Sequence, residues 1–138
     1  MTKLEIVPAT HIDRAWRDGA ACLAEACNTS GGEITGDQLK LVLGRSERWL
    51  VRMTEDGETV GWGTVRTDQF PNVRVLHIAD LVCHNRHFER FFDELKQMAE
   101  MAGCSEVRWS CKDAQARLYR MKVKDEIEAV YTTYRVKL

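Results

Sequence analysis

The stretch from His77 to Cys104, HIADLVCHNRHFERFFDELKQMAEMAGC, decides how this chain folds. Its first part belongs to a near-continuous apolar run over residues 73–82, which is typical of a strand that is covered on both faces of a sheet. Its second part carries apolar residues at helical spacing over 88–102 and ends at Gly103, which predicts an amphipathic helix with a glycine cap. Any chemistry is expected where this strand passes into this helix.

Two helices and three strands are predicted before this stretch. Thr35 and Gln38 have the spacing of a capping box, and Asp56-Gly57 is the centre of a predicted hairpin turn. Gly61 and Gly63 flank Trp62, which indicates the close approach of another backbone or of a ligand on one face of that strand. In chain order, the predicted elements are a strand over 4–8, helices over 11–28 and 36–44, and strands over 49–53 and 59–66.

Three elements are predicted after this stretch, and they complete a layered fold. Residues 106–110 read as a strand, residues 114–124 as a helix capped by Asp113, and residues 127–136 as an alternating final strand. Hairpin strands combined with helical crossings indicate a mixed sheet with helices, an α/β or α+β layered domain. The length of 138 residues predicts one domain over residues 1–138.

Composition excludes several classes of protein. Apolar residues make up 44% and charged residues 30% of the chain, and the net charge is −1, so no overall charge draws it to nucleic acid or to an anionic membrane. No apolar run approaches the roughly 20 residues of a spanning helix, and the first residues lack the apolar core of a signal peptide. We therefore expect a cytoplasmic location. Five cysteines without a CxxC pair argue against a disulfide framework and predict mostly buried, apolar thiols.

The order and lengths of these elements resemble the GCN5-related N-acetyltransferase (GNAT) fold over nearly the whole chain. FFDELKQMAEMAGC is similar to the family's LLxxLxxxAxxxGC helix, and Arg117–Lys122, RLYRMK, is similar to its RLYxKxGF helix. The resemblance implies a mixed, mostly antiparallel sheet with helices on both faces, acetyl-CoA or another acyl-CoA as cofactor, and a small-molecule or protein amine as acceptor.

The chain departs from the family at the loop that holds the coenzyme pyrophosphate. The family has R/QxxGxG/A there, since glycines let backbone N–H groups converge on phosphates at a helix N-terminus. This chain has Cys83-His84-Asn85-Arg86-His87-Phe88, which contains no glycine. Two interpretations stay open: side chains bind the phosphates, with Asn85 in the loop and Arg86, His87 and Arg90 supplying charge, or the coenzyme site has been lost.

The resemblance also implies roles for individual residues. Tyr119 stands where the family's tyrosine protonates the departing thiolate, a role that suits a phenol. Asp80 or His77, on the central strand, would be the base that removes a proton from the amine, although a purely structural role is open for all three residues. Leu81, Val82 and Cys83 would border the coenzyme, with a backbone N–H near Leu81 or Val82 facing the oxyanion.

Two other patterns carry less weight. Cys83, His84 and His87 form a C-H-x-x-H cluster, but no fourth ligand follows at a standard spacing, so no metal site is predicted. The segment 108–124 is basic and could meet phosphates, but such runs usually form a solvated helix face, and the neutral chain disfavours nucleic acid as a partner without excluding it.

Two functions follow from this reading. The first is a GNAT-like N-acyltransferase with an altered pyrophosphate loop. The second is a non-enzymatic GNAT-fold protein with a structural, assembly or regulatory role, similar to small GNAT-like proteins of tailed bacteriophages, some of them associated with the virion. A protein partner or a homo-oligomer fits the second function, because the final strand, 127–136, would leave an edge open to a second copy.

Overall fold

The described residues form one five-stranded sheet at the centre of the molecule. The computed structural model describes residues 1–83, 87–123 and 125–138. Neighbouring strands from β1 to β4 are antiparallel, and β4 and β5 are parallel, which confirms the predicted mixed, mostly antiparallel sheet. In sheet order, the strands are β1 (Thr2–Val7), β2 (Trp49–Glu55), β3 (Glu58–Gln69), β4 (Arg74–Cys83) and β5 (Glu106–Trp109).

Helices cover both faces of the sheet, as predicted. One apolar core lies between the sheet and the long helix α4, and Phe91 and Leu95 are fully buried there. A second core lies on the opposite face, where Leu23 and Leu39 are fully buried. The helices are α1 (Ile12–Arg17), α2 (Leu23–Ala26), α3 (Gly36–Gly44), α4 (Phe88–Met101) and α5 (Asp113–Lys122), with one-turn 3-10 helices at Ala9–His11, Ala20–Cys22 and Cys27–Thr29.

The single helix predicted over residues 11–28 is wrong, because the chain breaks there into short helical pieces. The break falls at Gly19, whose φ of 130° lies outside the helical region. A Cβ atom at Gly19 would lie 3.3 Å from Nε1 of Trp62, so the turn brings the backbone against that indole ring. Packing against Trp62 therefore overrides the helical spacing of this segment.

Local signals placed the other turns correctly. The Thr35 hydroxyl accepts a hydrogen bond from the Gln38 N–H and the Gln38 side chain accepts one from the Thr35 N–H, which confirms the capping box. Asp56 and Gly57 both have positive φ in the tight turn between β2 and β3. Gly103, at φ 75°, follows α4 as its cap, and the Cys104 N–H donates to the carbonyl of Ala99.

A bulge in β4 decides which side chains share a face of the sheet. Thr64 of β3 is opposite Asp80, but the next residue, Val65, is opposite Ile78, so Ala79 has no partner on β3. Ile78, before the bulge, packs in the α4 core, and Leu81, after it, packs against the same core. The extra residue therefore shifts by one position the alternation of β4 side chains between the two faces of the sheet.

The strand predicted over Ile127–Val136 is wrong. Residues 125–138 contain neither helix nor strand, and their backbone makes no hydrogen bond to the rest of the described chain. Alternation and β-branched residues favour an extended backbone, but a strand also needs a neighbouring edge to pair with. Among the described residues, no strand pairs with this segment.

Candidate active site

The strands β4 and β5 separate halfway along β4. β5 pairs only with Val75–Ile78, while β4 continues to Cys83 with β3 on its other side. Across the described residues, the backbone of 79–83 on the β5 side therefore has no strand partner. This leaves an opening between β4 and β5 that begins at the Ala79 bulge, a position where bulges often border active sites.

Tyr119 of α5 lies at this opening. Its ring centroid is 5.1 Å from that of Phe88, at the start of α4, and 5.5 Å from that of Trp109, at the end of β5. Burial raises the pKa of the Tyr119 phenol, and the nearby thiols of Cys111 and Cys83 raise it further. The phenol therefore holds its proton at neutral pH and is available as a proton donor.

Four aromatic rings form one wall of the opening. Phe92 of α4 meets Trp109 edge to face at a centroid distance of 5.4 Å, and Phe88 stacks with Phe92 at 6.3 Å. Tyr119 completes this aromatic cluster, which is half-buried at Trp109 and Tyr119 and buried at Phe88 and Phe92. The GNAT resemblance implies a loop residue without a side chain at the position of Phe88. In this structure, the Phe88 side chain therefore points into the core rather than into solvent.

His77 stands in a row of cations on the sheet. Arg66 of β3 and Arg108 of β5 are its direct neighbours in the register. Burial lowers the pKa of His77, Arg66 lowers it further, and Asp68 opposes the shift, while Arg48 and Arg108 add smaller effects in the same direction as burial. His77 is therefore a neutral imidazole at neutral pH, the form that can accept a proton.

Asp80 is held by two partners that sequence reasoning missed. The Thr64 hydroxyl donates to Oδ2 of Asp80 at 2.5 Å, and Nη1 of Arg48 lies 3.4 Å from the same oxygen. Asp80 is only 8% exposed and Thr64 is fully buried. A carboxylate enclosed in this way is satisfied by partners within the fold, which supports the structural interpretation of Asp80.

The three candidate catalytic residues do not share one face. Val82 packs against the core beneath α1–α3, and strand alternation places Asp80 on the same side. The Ala79 bulge places His77 on that side too, while Tyr119 packs with the α4 core. The described contacts join neither His77 nor Asp80 to Tyr119; the two sets approach the open edge of β4 from opposite faces.

The predicted cofactor-binding residues divide into three groups. Leu81, Val82 and Cys83 lie, half-buried, along the open edge of β4. Burial raises the pKa of the Cys83 thiol, which keeps it protonated and argues against a Cys/His nucleophile. Asn85 and Arg86, and with them His84, lie outside the described residues.

The third group, His87 and Arg90, contacts an acidic residue of the neighbouring hairpin. Nδ1 of His87 lies 2.8 Å from Oε2 of Glu55, and the Arg90 guanidinium forms an ion pair with the other oxygen. His87 is buried, whereas Arg90 is exposed. Glu55 therefore ties the β2–β3 hairpin to the start of α4, an arrangement that no local pattern in the sequence signals.

The described part of the chain has neither a group of metal ligands nor a membrane-spanning helix. No three side chains of His, Cys, Asp or Glu there are grouped as metal ligands would be. No helix among the residues described is long and apolar enough to cross a bilayer. All five cysteines are free thiols, and only Cys27 is buried, so the prediction of mostly buried cysteines is wrong.

The comparisons with known proteins agree on the fold. No protein-family model and no curated protein sequence matches the chain. Solved structures match at full length. A ribosomal-protein-alanine N-acetyltransferase from Brucella melitensis biovar Abortus 2308 has a TM-score of 0.70 at 14% identity and covers 100% of this chain and 99% of that one.

Two further structures match over the same span. An aminoglycoside acetyltransferase from an uncultured soil metagenomic sample has a TM-score of 0.64 at 16% identity, covering 99% of this chain and 97% of its own. Glucosamine-6-phosphate N-acetyltransferase from Arabidopsis thaliana has a TM-score of 0.62 at 17% identity, covering 99% of both chains. Together with the parallel pair β4–β5 and its opening, these matches show that the chain has the GNAT fold.

Proposed function

We propose that the protein is an N-acyltransferase that moves an acyl group from acyl-CoA, such as acetyl-CoA, to an amine. The observation that carries the proposal is the edge of β4 from Ala79 to Cys83, which no described strand pairs with on the β5 side, with the protonated phenol of Tyr119 beside it. An unpaired strand edge offers N–H and C=O groups to an extended, amide-bearing ligand. Acyl-CoA would supply a thioester there, and the amide-bearing arm of the coenzyme fits such an edge.

The proton transfers are assigned to Tyr119 and His77. Tyr119 would give its proton to the leaving sulfur, which suits a phenol whose burial keeps it protonated. His77 would accept the proton of the attacking amine, directly or through water, because it is neutral and only half-buried. Asp80 is the weaker candidate for the base, since Thr64 and Arg48 already occupy its carboxylate. A backbone N–H near Leu81 or Val82 would face the developing oxyanion.

Phosphate binding is assigned to the start of α4. His87 and Arg90 would supply positive charge at the N-terminal end of α4, where a helix favours anions. Both side chains already contact Glu55, so a diphosphate would compete with that carboxylate. Asn85 and Arg86 complete the proposed set of phosphate ligands.

The acceptor is proposed by chemical class alone. The similar structures include acetyltransferases named for a ribosomal-protein alanine, for aminoglycosides and for glucosamine-6-phosphate, all of which present an amine. For this chain, an amine of a small molecule or of a protein is the proposed acceptor, in a cytoplasmic setting.

Acyl-CoA binding is tested by thermal unfolding with and without acetyl-CoA. A ligand at 100 times its dissociation constant adds about 2.7 kcal/mol to the unfolding free energy, which is a clear rise in Tm. Acetyl transfer to a panel of amines is then followed by release of free thiol. Tyr119→Phe should slow transfer about 100-fold with the ligand-induced rise in Tm retained, since it removes only the proton donor. Tyr134→Phe, at an exposed tyrosine, is the matched control and should leave the rate unchanged.

A second function is favoured by one specific observation. His87 and Arg90 both contact Glu55, and the segment 83–88 lacks the glycines that the GNAT resemblance implies for a phosphate-binding loop. The alternative is a GNAT-fold protein without catalysis, serving in assembly or regulation with a protein partner, including a phage protein in the host cytoplasm or virion. No rise in Tm at millimolar acetyl-CoA, and no transfer to any amine, would replace the first proposal with this one.

A further inference from the structure

Two polar rows of side chains cross β3, β4 and β5 on the face of the sheet opposite α4. Arg66, His77 and Arg108 are aligned in the register and form the first, which we call the cationic row. Asp68 and Glu106 belong to the second row, two residues away along β3 and β5. Aligned residues of neighbouring strands share a face and lie about 4.8 Å apart, so the three side chains of the cationic row are direct neighbours.

The cationic row borders the opening between β4 and β5. Arg108 directly precedes Trp109, the last residue of β5, and His77 lies two residues before Ala79, where the opening begins. Two residues of a strand span about 6.6 Å. The acidic row lies on the far side of the cationic row from the opening. A short ligand could therefore reach the cationic row with one end while its other end lies in the opening.

The two arginines of the cationic row have more N–H donors than their carboxylate partners use. Nε of Arg66 donates to Asp68 at 3.1 Å, and the described hydrogen bonds of Arg66 involve Nε alone. Arg108 donates to Glu106 from Nε and Nη2 at 3.3 Å. A guanidinium carries five N–H donors and binds carboxylate or phosphate through two of them at once. The arginine side chains are 36% and 23% exposed, so an anion between them would be partly shielded from water.

The pKa of His77 indicates an excess of positive charge at the cationic row. Burial lowers this pKa most, and Arg66 has the next largest effect. Arg48 and Arg108 lower it further, and only Asp68 raises it. The nearby carboxylates therefore do not cancel the cations around His77, and a bound anion would reduce the repulsion among them.

We propose that the cationic row binds an anionic group of the acceptor, so that the acceptor is a small amine that also carries a carboxylate or a phosphate. This inference rests on the proposed acyl transfer, because it assigns the amine end of the acceptor to the opening. Arg66 and Arg108 hold the anion from both sides. The short distance from the row to Ala79 favours a spacer of a few atoms between the anion and the amine, which is the reach of a small molecule.

Matched pairs of amines test this binding without the coenzyme, whose own phosphates would compete. Phosphoethanolamine is compared with ethanolamine, and β-alanine with β-alaninamide, so that each pair differs in its anionic group and the two pairs distinguish phosphate from carboxylate. Affinities come from NMR titrations at constant ionic strength, because salt screens charges near the surface. The anionic member of at least one pair should bind about tenfold more tightly or better, and its binding should raise the pKa of His77.

Arg66→Gln and Arg108→Gln test whether the cationic row is the binding site. Each should abolish the preference for the anionic member. Arg14→Gln, on α1, removes the same charge from a side chain that is 78% exposed, and as the matched control it should keep the preference. Ion pairs at partly exposed positions contribute little to stability, so these variants should fold, which circular dichroism verifies. A wild type without any preference overturns the proposal, and so does a preference that survives both substitutions in the row.

Transfer from acetyl-CoA to the same amines separates this proposal from the proposed function. The kcat/KM for the anionic member should exceed that for its neutral partner about tenfold, and Arg66→Gln should raise KM for the anionic member with little change in kcat. Equal kcat/KM within both pairs overturns the assignment of the acceptor while acyl transfer stands. No transfer to any amine, with preferential binding of the anionic members intact, overturns the proposed function while the anion site stands.

Discussion

The neighbours of His77 in the fold set the direction in which its pKa is shifted. A histidine beside an acidic group gains charge, but here burial and the flanking Arg66 lower its pKa below the usual 6.5. The unfolded chain therefore binds a proton that the folded chain does not. Below pH 6.5, protonation favours the unfolded state, and the free energy of unfolding falls as the pH falls.

Replacing His77 by Gln should remove this acid sensitivity. The free energy of unfolding of His77→Gln should change less between pH 7 and pH 5 than that of the wild type, measured by urea unfolding at a series of pH values. His11→Gln, at an exposed histidine, is the control and should keep the wild-type slope. A His77→Gln slope as steep as that of the wild type would show that other groups cause the acid sensitivity.

At the scale of elements, the hairpin β2–β3 and helix α4 are fitted together through Gly61. A Cβ atom there would lie 2.8 Å from Cβ of Cys83 and 3.0 Å from the ring of Phe91. The sequence pattern predicted the close approach of a backbone or a ligand, but the groups that approach Gly61 are the side chains of Cys83 and Phe91. Because the strand partner and the helix both limit the space, neither neighbour can move freely.

Gly61→Ala should therefore lower the free energy of unfolding by about 1–3 kcal/mol, the usual cost of overpacking. Gly44→Ala is the matched control, because a Cβ there meets nothing within 4 Å and the residue is helical. It should raise the free energy of unfolding by about 0.4–1 kcal/mol. Both values come from urea unfolding. A neutral Gly61→Ala would mean that Phe91 can shift without loss.

The elements that could be predicted are those that depend on residues close together in sequence. The Thr35–Gln38 capping box, the Asp56-Gly57 turn and the Gly103 cap depend on nearby residues alone, and each was correctly placed. The helix over 11–28 and the strand over 127–136 failed because their outcomes depend on distant groups. The helix is interrupted at Gly19, where the backbone packs against Trp62, and no strand among the described residues pairs with the final segment.

Some features of the candidate site could be predicted from the sequence, and others could not. The order of elements indicates that residues 81–83 and the helix of Tyr119 follow neighbouring strand ends, while the roles of these residues stay predictions. The sequence could not predict three other features: the Ala79 bulge, the Thr64 and Arg48 partners of Asp80, and the contact between Glu55 and His87. Each joins residues far apart in sequence, and their types have many other uses in proteins.

The whole molecule has two apolar cores, one on each face of the sheet. The cores share the strands, since Val51 of β2 is buried on the α4 side and the adjacent Leu50 is buried on the other. Loss of either core should therefore disrupt the sheet that both need, and we expect a single cooperative transition.

Leu95→Ala in the α4 core and Leu23→Ala in the opposite core should each lower the free energy of unfolding by about 2–5 kcal/mol, since both side chains are fully buried. Leu41→Ala, at a residue that is 53% exposed, is the control and should change it by less than about 0.5 kcal/mol. Calorimetry should show one transition in every variant, displaced to lower temperature by either core substitution. Two separate transitions, each sensitive to one substitution alone, would mean that the sheet does not couple its two faces, because each core would then unfold with its own helices.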